Sequence, residues 1–183
     1  MAFRKNGSID GVDELMLCAN DKDGWVKFGN FHEKKIIKFL YSLGYPIKVN
    51  PEKKLDKYAP DAIFFGQPCD IKIRQTPFFT SENPQFNVTV NVNKIKSYIE
   101  KYGENFPIII FVNWKKLRGW GRVVKPMRVI ALTTAGKVRE GRIHFYESRR
   151  EDERNARCSH IVNLLNMKIL YCNESFRKLK NAE

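Results

Sequence analysis

Pro60-Asp61-Ala62-Ile63-Phe64-Phe65-Gly66-Gln67-Pro68-Cys69-Asp70-Ile71-Lys72-Ile73-Arg74 is the stretch on which the fold turns. Asp61 to Phe65 reads as a short strand, because β-branched and aromatic side chains suit a pleated, half-buried surface. Gly66-Gln67-Pro68 is turn chemistry. Cys69 to Arg74 reads as a second strand, so the two make a β-hairpin. That second strand alternates: Asp70, Lys72 and Arg74 fall on one face, Ile71 and Ile73 on the other. A tight hairpin of this kind draws Asp61, Asp70 and Lys72 together. Like charges that close repel unless a cation lies between them. Two hard carboxylate oxygens with open water positions suit Mg²⁺, and a lysine beside them can orient a water or neutralise a phosphate. Taken singly, Asp61 also suits a strand-opening turn, and Asp70 with Lys72 a solvated strand face. Jointly, those bland readings explain the spacing poorly.

Upstream, the spacing predicts a helix from Phe28 or Asn30 to Ser42, with Ile36, Ile37, Leu40 and Leu43 at helical intervals. Glu33 lies on the same stripe, and a carboxylate facing a core is costly unless paired or bound to a cation. A stripe-edge Glu salt-bridged to a lysine is the plainer alternative. Gly44 stops the helix. Tyr45–Val49 reads as a strand, and 51–59 as a basic loop carrying Lys53, Lys54 and Lys57. Downstream, Phe86–Val90 reads as a strand, Asn93 as the cap of a helix over Lys94–Tyr102, and Pro107–Asn113 as the central strand of the sheet. Met127–Thr133 and Arg142–Tyr146 read as strands and Arg149–Leu165 as a helix, while Met167–Cys172 suits either.

Pro60-Asp61, eight intervening residues and then Asp70-Ile71-Lys72 resembles the PD-(D/E)XK nuclease superfamily. The upstream Gly29-x-x-x-Glu33 helix ending in Leu43-Gly44-Tyr45 is similar to its archaeal Holliday-junction-resolvase branch. The match covers residues 28–114. It implies a restriction-endonuclease-like α/β fold, an αβββαβ core with a mixed central sheet flanked by helices, plus a C-terminal α+β extension. One domain is expected, with an N-terminal arm (1–27), a catalytic core (28–114) and the extension (115–183). By resemblance, Asp61 is the main metal ligand and Asp70 a second. The Ile71 carbonyl adds a ligand, Glu33 binds a second ion or a metal-bound water, and Lys72 positions or helps deprotonate the attacking water. The implied cofactor is Mg²⁺ or Mn²⁺, the implied reaction phosphodiester hydrolysis in DNA leaving a 5′-phosphate, and the implied assembly a homodimer. After Lys72, many relatives carry a small or polar residue. Here Ile73 and Arg74 come first, followed by Gln75 and Thr76, and there is no Q-x-x-x-Y exonuclease motif.

The chain has 183 residues, with 33 Lys+Arg against 20 Asp+Glu for a net charge of +13, a balance that favours a polyanionic partner. Basic residues flank the expected site: Lys34, Lys35 and Lys38 on the helix, Lys53, Lys54 and Lys57 on the loop, and Arg74 on the second strand. A further cluster, Trp114-Lys115-Lys116-Leu117-Arg118-Gly119-Trp120-Gly121-Arg122, interleaves aromatics and cations. It reads either as a loop that grips backbone and stacks on bases or as a solvated loop anchored by its tryptophans. Without a base-reading module, recognition by backbone or structure is favoured, as for a nuclease of DNA recombination. A homing or restriction-type enzyme, an RNA-directed nuclease and a non-catalytic nucleic-acid-binding protein are the alternatives. The longest apolar run, Ile108–Val112, is strand-length, so no membrane span is expected. Four scattered cysteines, Cys18, Cys69, Cys158 and Cys172, read as reduced thiols in a cytoplasmic protein.

Overall fold

The computed structural model describes residues 4–5, 16–17, 22–56, 58–75, 77–119, 121–145 and 158–182, with side chains from 29 onward. Strands β1 (Arg4–Lys5) and β2 (Met16–Leu17) pair antiparallel where an irregular arm is expected. Helix α1 runs Lys22–Ser42. It begins earlier than the spacing predicts: Gly24 and Gly29, which weaken helix propensity and mask its first turns in the sequence, are carried inside it. Its inner stripe buries His32, Ile36, Ile37 and Leu40. The helix ends in a Schellman motif: Tyr45 N–H donates to the Leu40 carbonyl at 3.1 Å and Gly44 N–H to that of Tyr41 at 2.9 Å. Gly44 takes φ 87°, which the absence of a Cβ allows.

Strand β3 (Ile47–Val49) follows, then a 3-10 turn at Pro51–Lys54, then β4 (Ala62–Phe64) and β5 (Gln67–Arg74). The β4–β5 turn is Phe65-Gly66 rather than Gly66-Gln67-Pro68, since Phe64 already pairs with Gln67 and Ile63 with Pro68. Both turn residues have positive φ (49° and 79°), the mark of the tight two-residue turn whose twist matches the strands. Strand β6 (Asn87–Asn91) leads into α2 (Val92–Tyr102). The cap is Asn91, whose side chain accepts from Lys94 N–H, so the helix opens two residues before the expected Lys94.

Strand β7 (Pro107–Trp114) is followed by a small hairpin of β8 (Leu117–Gly119) and β9 (Arg122–Val124), then β10 (Met127–Thr134) and α3 (Ala135–Arg139). Next come β11 (Ile143–Phe145), β12 (Cys158–Asn163), β13 (Lys168–Cys172) and α4 (Glu174–Lys180). Residues 158–163 are strand, where the sequence reading has a helix over 149–165. The apolar residues Ile161, Val162, Leu164 and Leu165 mimic helical spacing, but pairing with β6 and β11 decides the outcome. The 149–157 part of that expectation lies outside the described residues.

The architecture is α/β around one mixed sheet of order β13-β10-β7-β5-β4-β3. β5 and β7 run parallel, and every other adjacent pair in that sheet is antiparallel. β7 sits inside the sheet and is buried on both faces, as its apolar run predicts. A second sheet of order β11-β12-β6 stands apart. One core lies between α1 and the large sheet, with Ile36, Leu40, Cys69, Ile71, Ile109 and Phe111. The other lies across the sheet, where Ile108, Ile110 and Val112 meet Val88 and Val90 of β6, Ile95 and Tyr98 of α2 and Phe176 of α4. Cys69, Cys158 and Cys172 are free thiols, and Cys18 lies outside the described residues. Among the described residues, no helix is long and apolar enough to cross a membrane.

Candidate functional site

The register Ala62↔Cys69, carried one place outward, sets Asp61 beside Asp70 at the mouth of the β4–β5 hairpin. Both are buried, at 8% and 3% exposure. Asp61 is fixed from below: its Oδ2 accepts from Ile71 N–H at 2.8 Å. Asp70 is fixed from the side: its Oδ1 accepts from the Tyr98 hydroxyl on α2 at 2.6 Å. Lys72, two places along β5, brings Nζ to 2.5 Å from Asp70 Oδ2. This is a close ion pair with both side chains mostly buried. Lys72 Nζ also stands 5.7 Å from the Tyr98 ring centroid. The alternation of β5 is what turns Asp70 and Lys72 to the α2 side while Ile71 packs against α1.

Glu33 reaches the same place from α1. The link is Lys53, whose Nζ hydrogen-bonds Glu33 Oε2 at 2.7 Å and also contacts Asp61 Oδ1. Lys53 is placed by Asn50. The buried Asn50 side chain accepts from Glu52 N–H to cap the 3-10 turn and donates to the Pro60 carbonyl at 3.0 Å. The Asn50 N–H donates to the Asp61 carbonyl. One asparagine thus ties the lysine's turn to the segment that carries Asp61.

The electrostatics follow from three carboxylates gathered in a largely buried corner. Burial, then the charges of Asp70 and Glu33, push the Asp61 carboxyl up to about 6, with Lys72 and Lys53 pulling the other way. Burial works to lower the Lys53 ammonium, but its hydrogen bonds and charge contacts with Asp61 and Glu33 outweigh this and hold it above its usual range. Burial and then Asp70 push the Tyr98 hydroxyl well up, so it stays a donor. Burial and then the charges of Asp70 and Asp61 raise the Cys69 thiol, which makes it an inert core residue.

Glu33, Asp61, Asp70 and Lys72, predicted as a site, are thus linked through Lys53 and Tyr98. Lys53, which the sequence reading sets against nucleic acid, instead bridges Glu33 and Asp61. Tyr98 joins the site without a motif to announce it; the only trace in the sequence is its place one turn after Ile95 on the apolar face of α2. Gln75, just past β5, buries its amide oxygen and nitrogen without a hydrogen-bond partner. Lys34, Lys38 and Lys54 are exposed, and Lys35 holds its ammonium 4.6 Å from the Phe31 ring centroid. Arg74 is committed inside the protein, donating to the carbonyls of Thr89 and Ile73. Lys115, Lys116 and Arg118 are exposed on and before the β8–β9 hairpin, while Arg122 clips that hairpin to the Ser81 and Glu82 carbonyls. Trp114 belongs to the core at 2% exposure, so the gripping role does not extend to it. Lys57 and Trp120 lie outside the described residues.

Among the described residues, no three His, Cys, Asp or Glu side chains gather into a ready-made cage. The donor set nonetheless fits a hard divalent ion. Asp70 Oδ2 is a buried carboxylate oxygen whose close partner is the Lys72 ammonium, and Asp61 Oδ1 meets that of Lys53, so both present hard oxygens already facing positive charge. Mg²⁺ is commonly held by one or two carboxylates plus waters and substrate phosphate rather than by an all-protein cage. Comparison with models of known protein families, with curated proteins and with solved structures gave no match.

Proposed function

We propose that the chain is a Mg²⁺- or Mn²⁺-dependent DNA endonuclease on a restriction-endonuclease-like core, directed by DNA structure or backbone in the manner of a junction resolvase. The observation that carries this reading is the meeting of Asp61 and Asp70 across one hairpin, with Lys72 at Asp70 and Glu33 turned in from α1. Asp61, Asp70, the Ile71 carbonyl and Glu33 would hold the ion. When bound, it supplies a water of lowered pKa and positive charge at the scissile phosphate. Lys72 orients the attacking water and places a cation where charge develops on the phosphate. Tyr98 holds Asp70 in one rotamer, and Ile71 N–H does the same for Asp61, so neither carboxylate must reorganise during the reaction. The exposed Lys34, Lys38, Lys54, Lys115, Lys116 and Arg118 supply backbone contacts at a net charge of +13. By resemblance to resolvases and endonucleases of this fold, the working unit in this reading is a homodimer.

The test is a cleavage assay with Mg²⁺ or Mn²⁺ on end-labelled duplex, single-stranded and four-way-junction DNA, with matched RNA as competitor. Wild type is expected to cut, with the junction preferred. Asp70→Asn is expected to keep its fold and lose on the order of 100-fold or more in rate, the scale of removing one preorganised group. Binding on every substrate without cutting, with either ion, would sink the nuclease reading and leave a basic binding module.

A further inference from the structure

The bridging lysine does not fit a simple structural salt bridge. Lys53 stands on an exposed turn, yet its ammonium lies between two carboxylates that come from different elements, Glu33 of α1 and Asp61 ahead of β4. A partly buried ion pair is a poor source of stability, because desolvation offsets much of the Coulomb gain. The charge count is more telling. Glu33, Asp61 and Asp70 face two ammonium groups, Lys53 and Lys72, which leaves the cluster one negative charge from neutral. A divalent ion added beside both lysines overshoots by one positive charge. The same ion in exchange for Lys53 leaves the cluster neutral.

The backbone is built for that exchange. Asn50 pins the base of the turn to Pro60 and Asp61, so the turn itself need not move. Lysine's charge sits at the end of a flexible four-carbon stem. Beyond the turn the loop is open, with Leu55 at 95% and Tyr58 at 68% exposure. Lys72 is less free, because it sits on an interior strand beside buried Asp70 and against Tyr98.

We propose that Lys53 is a resident placeholder cation: its ammonium holds Glu33 and Asp61 together in the metal-free protein, and a divalent ion displaces it from between them. This rests on the metal-dependent reading above, and the experiment separates the two. Mn²⁺ binding to the full chain is followed by the loss of the free-ion electron paramagnetic resonance signal. In parallel, the protein is pulsed with an amine-reactive reagent with and without Mn²⁺, and label at each lysine is read by mass spectrometry. The expected result is that Mn²⁺ binds and label at Lys53 rises several-fold, with Lys54 next to it unchanged. Lys53→Met is expected to bind Mn²⁺ about tenfold more tightly and Lys54→Met as wild type does, which separates displacement from a general loss of positive charge. If Lys53→Met does not fold, the labelling of wild type decides. Mn²⁺ binding with no rise in Lys53 label overturns the placeholder and leaves the metal site standing. No Mn²⁺ binding at millimolar concentration overturns both.

Discussion

At the scale of single residues, Asp61 has the clearest consequence. Its carboxyl is raised from 3.8 to about 6, so the folded protein holds that proton more tightly than the unfolded chain. Stability from this group is fully present below pH 4 and is lost as pH rises through about 6. Asp61→Asn keeps an acceptor for Ile71 N–H and removes the repelled charge. In the metal-free protein at pH 7.5 it is expected to raise stability by about 1–3 kcal/mol, with the gain vanishing near pH 4. Urea denaturation at both pH values checks this, and equal stability of variant and wild type at pH 7.5 counts against it. Tyr98 predicts the opposite sign. Tyr98→Phe leaves Asp70 Oδ1 buried without its donor, which costs about 1–3 kcal/mol by the same measurement. Under the nuclease reading it also slows cleavage about tenfold, because Asp70 is no longer held. The aspartates and Lys72 were legible from the sequence because hairpin spacing and two-residue alternation are local. Tyr98 and the bridging place of Lys53 were not, because each depends on how elements distant in sequence dock.

At the scale of elements, the β4–β5 turn is the informative case. Phe65 is a bulky residue at φ 49°, 62% exposed, in a position that asparagine or glycine occupies without strain. Its edge contact with the Phe64 ring, 4.8 Å between centroids, returns part of the cost. Phe65→Asn is expected to stabilise by about 0.5–1 kcal/mol, seen as a higher urea midpoint at unchanged slope. A lower midpoint would mean that the ring contact outweighs the backbone. Gly66-Gln67-Pro68 drew the expected turn one place too far along, because proline is a strong turn signal. Pro68 is instead accommodated in β5 opposite Ile63. The shift between Asn93 and Asn91 has the same origin, two equally good capping residues two places apart. The helix expected over 149–165 failed for another reason. Short apolar runs serve either period, and the pairing of 158–163 with β6 is a long-range fact.

At the scale of the whole molecule, the net charge of +13 together with the nuclease reading predicts nucleic-acid binding with a steep salt dependence. Each phosphate contact contributes about 0.9 to the slope of log K against log salt on duplex DNA. The triple change Lys115→Ala, Lys116→Ala, Arg118→Ala removes three exposed cations around the β8–β9 hairpin. It is expected to lower that slope by about 1–3 in fluorescence anisotropy titrations while leaving stability unchanged. An unchanged slope would place the contact surface elsewhere. The chain after residue 115 is integral to both sheets: β10 lies against β7 and β13 extends the large one, while β12 pairs with β6 in the small one. The sequence outlined the first half of that sheet from patterning, and its completion by β10 and β13 more loosely.

The pairing of β5 with β7 sets an order of assembly. The acidic hairpin closes through two residues, a local event on the microsecond scale. Its parallel neighbour arrives only after β6 and α2 have been laid down, and such long-range closure is slow. Any early closure of the hairpin during synthesis brings the two aspartates together in water, where their repulsion is weak. The Tyr98 hydroxyl that secures Asp70 and the parallel strand beside it are made later in the chain, so the corner that works against its own charges is completed only after its two aspartates are in place.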